Sequence, residues 1–243
     1  EILPSDWSSD VCSSDLKKIP FATVTDMKSV ATKTVKKTKN TIAILYAVGN
    51  IVSGNKPENI QDKYLINEIE KLRKDDKIKA VVFRINSGGG SAYASEQIWK
   101  AISDLKEEKP VIVSMGDLAA SGGYYIACNA HKIVAQSTTL TGSIGIFGTF
   151  PSLEKTFKKI GIHTDMVKTN KFSDFGNLSR PFNEGEREMM QKMIERGYDL
   201  FLTRCANGRN LPKDSLALYA EGRVWSGTRA KEIGLVEIGR AHV

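Results

Sequence analysis

Twice in succession a short apolar run breaks into a glycine-bearing turn and resumes as a helix. This repeated strand–turn–helix unit constrains the fold more than any other feature of the chain. In Lys79-Ala-Val-Val-Phe-Arg-Ile-Asn-Ser-Gly-Gly-Gly-Ser91, a strand from about Ala80 to Ile85 gives way to Gly88, Gly89 and Gly90. A helix then begins near Ser91, with Ala94, Ile98, Ile102 and Leu105 at helical spacing. The second unit starts at Pro110 with the run Val-Ile-Val-Ser and continues as Met115-Gly-Asp-Leu-Ala-Ala-Ser-Gly-Gly-Tyr-Tyr-Ile-Ala127. An apolar strand, Thr41 to Val48, and a helix marked by Tyr64, Leu65, Ile69 and Leu72 precede both. Such alternation predicts an α/β fold, a parallel sheet core with covering helices.

Ser121 falls where the second apolar run and a short loop meet their helix. A side chain at a helix start faces unpaired backbone N–H groups and the positive end of the dipole. Gly122 and Gly123 after it allow another backbone to approach closely. Two roles are open to Ser121: helix N-cap, which serine favours, or nucleophile. The Gly88–Gly90 turn could supply the outward N–H groups of an oxyanion hole, or be a plain tight turn. It lacks the Gly-Lys-Ser/Thr ending of a P-loop and the Gly-x-Gly-x-x-Gly spacing of a dinucleotide site. A third stretch, Ser137-Thr-Thr-Leu-Thr-Gly-Ser-Ile-Gly-Ile-Phe-Gly148, follows the short strand Lys132-Ile-Val-Ala. It reads either as a strand edge crossing close to another backbone or as the carrier of Ser143, bonded to a catalytic partner.

A serine nucleophile needs a base. His131 lies about ten residues beyond Ser121, roughly 15 Å away at the helical rise. His163 starts a predicted strand after a Lys-Lys-Ile-Gly turn, and His242 lies at the end of the chain; surface or cap roles suit all three. Lysine is the other option, since Ser-Lys pairs are a variant of triad logic, and such a lysine must be desolvated to reach a useful pKa. Lys168 and Lys171 leave a predicted strand near Phe172.

The chain resembles the signal peptide peptidase A (protease IV) family of serine proteases, which share the Clp-protease/crotonase-like fold. The resemblance rests on Asn86-Ser-Gly-Gly-Gly-Ser91, the stretch from Ser114 to Ile126, Leu140-Thr-Gly-Ser-Ile-Gly-Ile-Phe-Gly148 and Gly222-Arg-Val-Trp-Ser-Gly227, in that order. It covers roughly residues 40 to 236. It implies that Ser121 is the nucleophile, that amides of the Gly88–Gly90 turn (Gly88 and Gly89) with one near Gly122 form the oxyanion hole, and that Ser143 orients the catalytic lysine. Lys171 falls close to the lysine of one-repeat members, but the spacing after Ser143 is about two residues shorter, and Phe172-Ser-Asp-Phe-Gly departs from the usual surroundings. The chain looks more like the C-terminal repeat of two-repeat members, whose base lies in the N-terminal repeat. Lys171 and an upstream lysine are therefore both candidates. The implied activity is hydrolysis of leftover signal peptides and other membrane-associated peptides by a homo-oligomeric enzyme. Its expected place is the extracytoplasmic side of a bacterial inner membrane. A non-proteolytic assembly repeat and a crotonase-type acyl-CoA enzyme are the rivals. No metal or organic cofactor is implied.

Residues 1–16, rich in serine and aspartate without periodicity, resemble translated adapter sequence, and so do residues 237–243; both read as non-native ends. Residues 17–40 read as a basic linker and 41–236 as the peptidase domain. The formal charge of the whole chain is +7. The first sixteen residues hold four acids and no Lys or Arg, so leaving them out raises it to +11. Lys33, Lys36, Lys37 and Lys39 supply much of the excess, as a solvated arm or an anionic-membrane contact. No motif accompanies them to suggest nucleic acid. Cys128 reads as a small buried hydrophobe; with Cys205 it could form a disulfide but no framework. Asp75-Asp76 and Glu107-Glu108 read as solvated helix ends. A helix starting near Pro151 ends at Gly161. A longer one spans about Asn183 to Ala206, with Met189, Met190, Met193, Ile194 and Phe201 on its apolar side.

Overall fold

The computed structural model describes residues 40–238; the proposed leader and nearly all of the basic linker lie outside them. In chain order the elements are β1 (Thr41–Val48), β2 (Ile51–Val52), β3 (Ile60–Gln61), α1 (Asp62–Lys74), β4 (Ile78–Ser87), α2 (Ala92–Glu108), β5 (Val111–Ala120) and α3 (Gly122–Ala127). They continue with β6 (Lys132–Ala135), β7 (Leu140–Gly142), α4 (Glu154–Lys159), α5 (Glu184–Arg209), α6 (Lys213–Ala217), β8 (Val224–Ser226), α7 (Gly227–Glu232) and β9 (Glu237–Ile238). The main sheet runs β1-β4-β5-β6-β9, all parallel. β7 adds to the far end of β5 in parallel and pairs with β8 antiparallel.

Alternation along the strands explains how the sheet is covered. Val81, Phe83 and Ile85 of β4 and Val111, Val113 and Met115 of β5 are fully buried. They pack in one core with Ile69 of α1, Ile98, Ile102 and Leu105 of α2, and Tyr124 and Ile126 of α3. The opposite faces of β4 and β5 are only partly covered. α2 begins where expected, capped by the Ser91 hydroxyl accepting from Ala94 N–H at 3.2 Å. Its buried Ile98, Ile102 and Leu105 keep the i, i+4, i+7 spacing of one helix face.

The β4–β5 register shifts between Ile85 and Ser87. Ile85 pairs with Met115, but Ser87 pairs with Ala119, so β5 carries extra residues at this bulge. The Asn86 side chain takes the Leu118 N–H at 3.1 Å. Thr139 Oγ1 donates to the Gly116 carbonyl at 2.8 Å, and Thr141 Oγ1 to the Ala119 carbonyl at 2.7 Å. Every one of these bonds fixes the direction in which β5 delivers Ser121.

Three sequence expectations change. β5 continues to Ala120, so a strand, rather than a loop, runs directly into Ser121. The strand predicted between His163 and Phe172 does not form; that stretch is irregular and mostly exposed, and pairs with no strand. Glu237 and Ile238, assigned to the non-native tail, are β9, paired with Val134 and Ala135. The Glu237 carboxylate accepts from Ile133 N–H at 2.8 Å and from Arg209, so the folded unit reaches at least to residue 238.

Candidate active site

Ser121 sits between the last residue of β5 and the first of α3 with φ 52° and ψ −123°. A non-glycine residue at positive φ is strained, and a strand-to-helix turn of this kind is the geometry of a nucleophile elbow. The cap role is not realised: the Ser121 side chain makes no cap hydrogen bond to α3. Its backbone is held instead, N–H to the Gly142 carbonyl at 2.9 Å and carbonyl to Tyr125 N–H at 2.9 Å.

The glycine turn packs directly against this elbow. A Cβ on Gly89 (φ 98°) would lie 2.6 Å from Gly122 N and 2.9 Å from Ser121 Cβ. Gly89 is buried and its N–H donates to Ser87 Oγ at 3.0 Å, which occupies one of the amides expected in the oxyanion hole. Gly90 is exposed, and its N lies 3.2 Å from the Cβ position of Gly122. Gly88 is exposed as well, and Gly122 is buried. Gly90 is pinned from behind by Ile51, whose N–H bonds the Gly89 carbonyl at 2.9 Å and whose carbonyl takes Ser91 N–H at 2.8 Å.

Ser143 follows Gly142, the register partner of Ala120, so the two serines leave adjacent parallel strands side by side. Ser143 also has positive φ, 50°, and its N–H bonds the Arg223 carbonyl at 2.7 Å. Both serines line one cavity of about 490 Å³. Ile146, Phe147, Ile194 and Tyr198 give it apolar walls, and Gln191, Glu195 and Glu221 add polar groups. The volume suits a small-molecule or peptide site.

Among the described residues no lysine lines this cavity. Lys171 is exposed, with its ammonium 5.4 Å from the centre of the Phe172 ring, and it does not line the cavity that holds Ser121 and Ser143. Lys168 pairs with Asp174 at 3.0 Å. Asp174 belongs to a second cluster: Arg180 bonds its carboxylate at 2.7 Å and reaches Glu186 with two bonds, 2.7 and 2.6 Å. Arg180 holds both carboxyls below their usual range. Neither described histidine lines the site: His131 Nδ1 accepts Val111 N–H at 3.1 Å, and His163 is exposed; His242 lies outside the described residues. Cys128 and Cys205 are buried free thiols. Among the described residues no His, Cys, Asp and Glu cluster could hold a metal ion, and no described helix is long and apolar enough to cross a membrane.

Sequence reasoning missed Asn86, Thr139, Thr141 and the cavity wall from α5. The bonds that give the first three their roles join strands far apart in the chain. The only signal for α5 was its apolar spacing, which does not say what the helix faces.

The model of Peptidase family S49 matches residues 103–240, and that of Clp protease matches residues 32–167. Protease 4 of Haemophilus influenzae is 44% identical over 203 residues, covering 82% of this chain and 33% of that protein. Protease 4 of Salmonella typhi is 42% identical over 207 residues, 84% of this chain and 33% of its own length. The chloroplastic serine protease SPPA of Arabidopsis thaliana is 40% identical over 205 residues, 82% of this chain and 30% of its own. The chain thus spans about a third of the length of these relatives.

Proposed function

The chain belongs to peptidase family S49, and on that premise we propose that it carries the nucleophile of a serine endopeptidase acting on cleaved signal peptides and other membrane-associated peptides. The observation that carries this reading is the strained Ser121 elbow, free of a cap bond, on the wall of an apolar cavity beside the glycine turn. In the proposed reaction Ser121 Oγ attacks the peptide carbonyl and gives its proton to a lysine. The oxyanion collects in the N–H groups of Gly90 and Gly122, the amine leaves with a proton, and water releases the acyl group. Ser143, beside Ser121, orients the lysine. That lysine comes from outside residues 40–238, a reading supported by the exposed position of Lys171. The apolar walls at Ile146, Phe147 and Ile194 favour apolar peptide side chains.

Self-association is part of the same reading. Ile42, Ile44, Tyr46 and Val48 are more than half exposed along the edge strand β1, and Met193 along α5, which suits burial in an oligomer. The bacterial source of two of the relatives and the proposed membrane-associated substrates favour the extracytoplasmic face of a bacterial membrane. The second reading, an assembly repeat without its own base, is favoured by one observation: the absence of a lysine in the cavity among the described residues.

A fluorophosphonate probe separates the two. The parent chain, alone or mixed with upstream family sequence, is expected to label, Ser121→Ala to lose all labelling, and Lys171→Ala to label like the parent. Loss in Lys171→Ala as well would return the base to Lys171. A folded parent that does not label, alone or mixed with upstream family sequence, would leave only the assembly reading.

A further inference from the structure

A second cavity of about 220 Å³ lies beside the first, walled by Phe150, Pro151, Leu178 and Phe182 together with Arg180 and Arg187. The two share a partition. A Cβ on Gly148 would lie 2.7 Å from the Phe150 ring, which faces the second cavity, and 3.6 Å from Ile194, which faces the first.

The two guanidiniums are not equivalent. Arg180 is spent on Asp174, Glu186 and the Pro181 carbonyl. Arg187 has no carboxylate partner among the described residues, and its own backbone is simply helical, N–H to the Asn183 carbonyl at 3.0 Å. The second cavity therefore combines apolar and aromatic walls with one uncommitted cation. A carboxylate carried next to an apolar side chain matches that chemistry, and a guanidinium binds a carboxylate bidentately.

Arg187 is also aligned with the Ser121 cavity. Arg187, Gln191, Ile194 and Tyr198 follow one another at spacings of four, three and four, which is a single strip of α5. The last three line the Ser121 cavity. Along the axis Arg187 is about 6 Å from Gln191 and about 16 Å from Tyr198. An extended peptide covers this in roughly two to five residues.

We infer that Arg187 and its cavity anchor a carboxylate of the bound peptide, the C-terminal one of a short fragment, two to five residues from the bond at Ser121. The inference rests on the peptidase reading and gives it a selection rule: already-released fragments with free C-termini are favoured over internal segments.

The test uses the full chain as Ser121→Ala, so that binding is measured without turnover, and an N-terminally fluorescein-labelled Leu/Ala decapeptide. It is offered as free acid, as C-terminal amide, and as an amide whose last residue is aspartate. Fluorescence anisotropy is expected to show the free acid binding roughly tenfold tighter than the amide, as for a hydrogen bond to a charged group. Adding Arg187→Gln should bring the two together, and Arg187→Lys should keep part of the difference. The aspartate amide tells a terminal from a side-chain carboxylate: weak binding supports the terminal one, and binding as tight as the acid overturns that assignment. Arg187→Gln should leave the melting temperature unchanged, because among the described residues its side chain has no hydrogen-bond or ion-pair partner. Equal binding of acid and amide to the Arg187 protein, or a preference that survives Arg187→Gln, overturns the anchor. Fluorophosphonate labelling of the protein with Ser121 and Arg187 both native reports separately on the peptidase reading.

Discussion

At the scale of single residues, Ser121 holds a conformation that glycine would adopt more easily. Backbone strain of this kind costs on the order of 1–3 kcal/mol. Ser121→Gly should therefore be more stable than Ser121→Ala by about 1 kcal/mol in urea unfolding, while both lose labelling. Gly89→Ala should do the reverse of relief. Its methyl would meet Gly122 N at 2.6 Å on a backbone with φ 98°, so the oxyanion side must move. Labelling should fall at least about a hundredfold, the scale of one lost oxyanion donor. Thr141→Val deprives the buried Ala119 carbonyl of its hydroxyl partner and should cost about 1–3 kcal/mol, read as a lower urea midpoint. Ser121 and the glycines were legible in the sequence because strand, glycine and serine sit within a few residues of one another. Asn86, Thr139 and Thr141 were not, since each acts on a carbonyl or amide brought near only by register.

Among the elements, α5 is bounded by a capping box: Asn183 accepts from Glu186 N–H at 3.0 Å and Glu186 accepts from Asn183 N–H at 2.8 Å. Glu186 also holds Arg180 and is fully buried. The irregular stretch before α5 is thus fastened by Lys168, Asp174, Arg180 and Glu186 rather than by the strand that its sequence suggests. A β-period pattern needs a neighbour to bond, and no strand edge is offered there. Arg180 depresses the pKa of both carboxyls in the folded state. Their contribution is therefore complete above the ordinary carboxyl value of about 4 and is lost as pH falls through the folded values. Melting temperature should be level from neutral pH to about 5 and drop below about 4, with a shallower drop in Asp174→Asn/Glu186→Gln. A slope unchanged by the double substitution would remove the cluster from the account.

For the molecule as a whole, a parallel sheet with covering helices was legible because the first apolar runs alternate with helices along the chain; the strand order was not read from the sequence and comes from the pairing. The ends were not legible either: β9 looks like tail by composition, and only pairing with β6 identifies it. Among the described residues β1 is an edge of the sheet and displays Ile44 and Tyr46 at 57% and 65% exposure. Ile44→Lys/Tyr46→Lys should shift the chain toward monomer in sedimentation velocity without changing its melting temperature. α5 has a wider consequence. Its last turns, Phe201 to Ala206, are set in the core, and Glu186 near its start is buried against Arg180, while the stretch between them carries the wall facing Ser121. It behaves as a beam held at both ends, about 39 Å long for its 26 residues. The aperture over the nucleophile is thus set at its two supports, the packing at Cys205 and Gly208 where the beam meets Cys128 and the Arg180 pairing of Glu186, both far from the nucleophile itself.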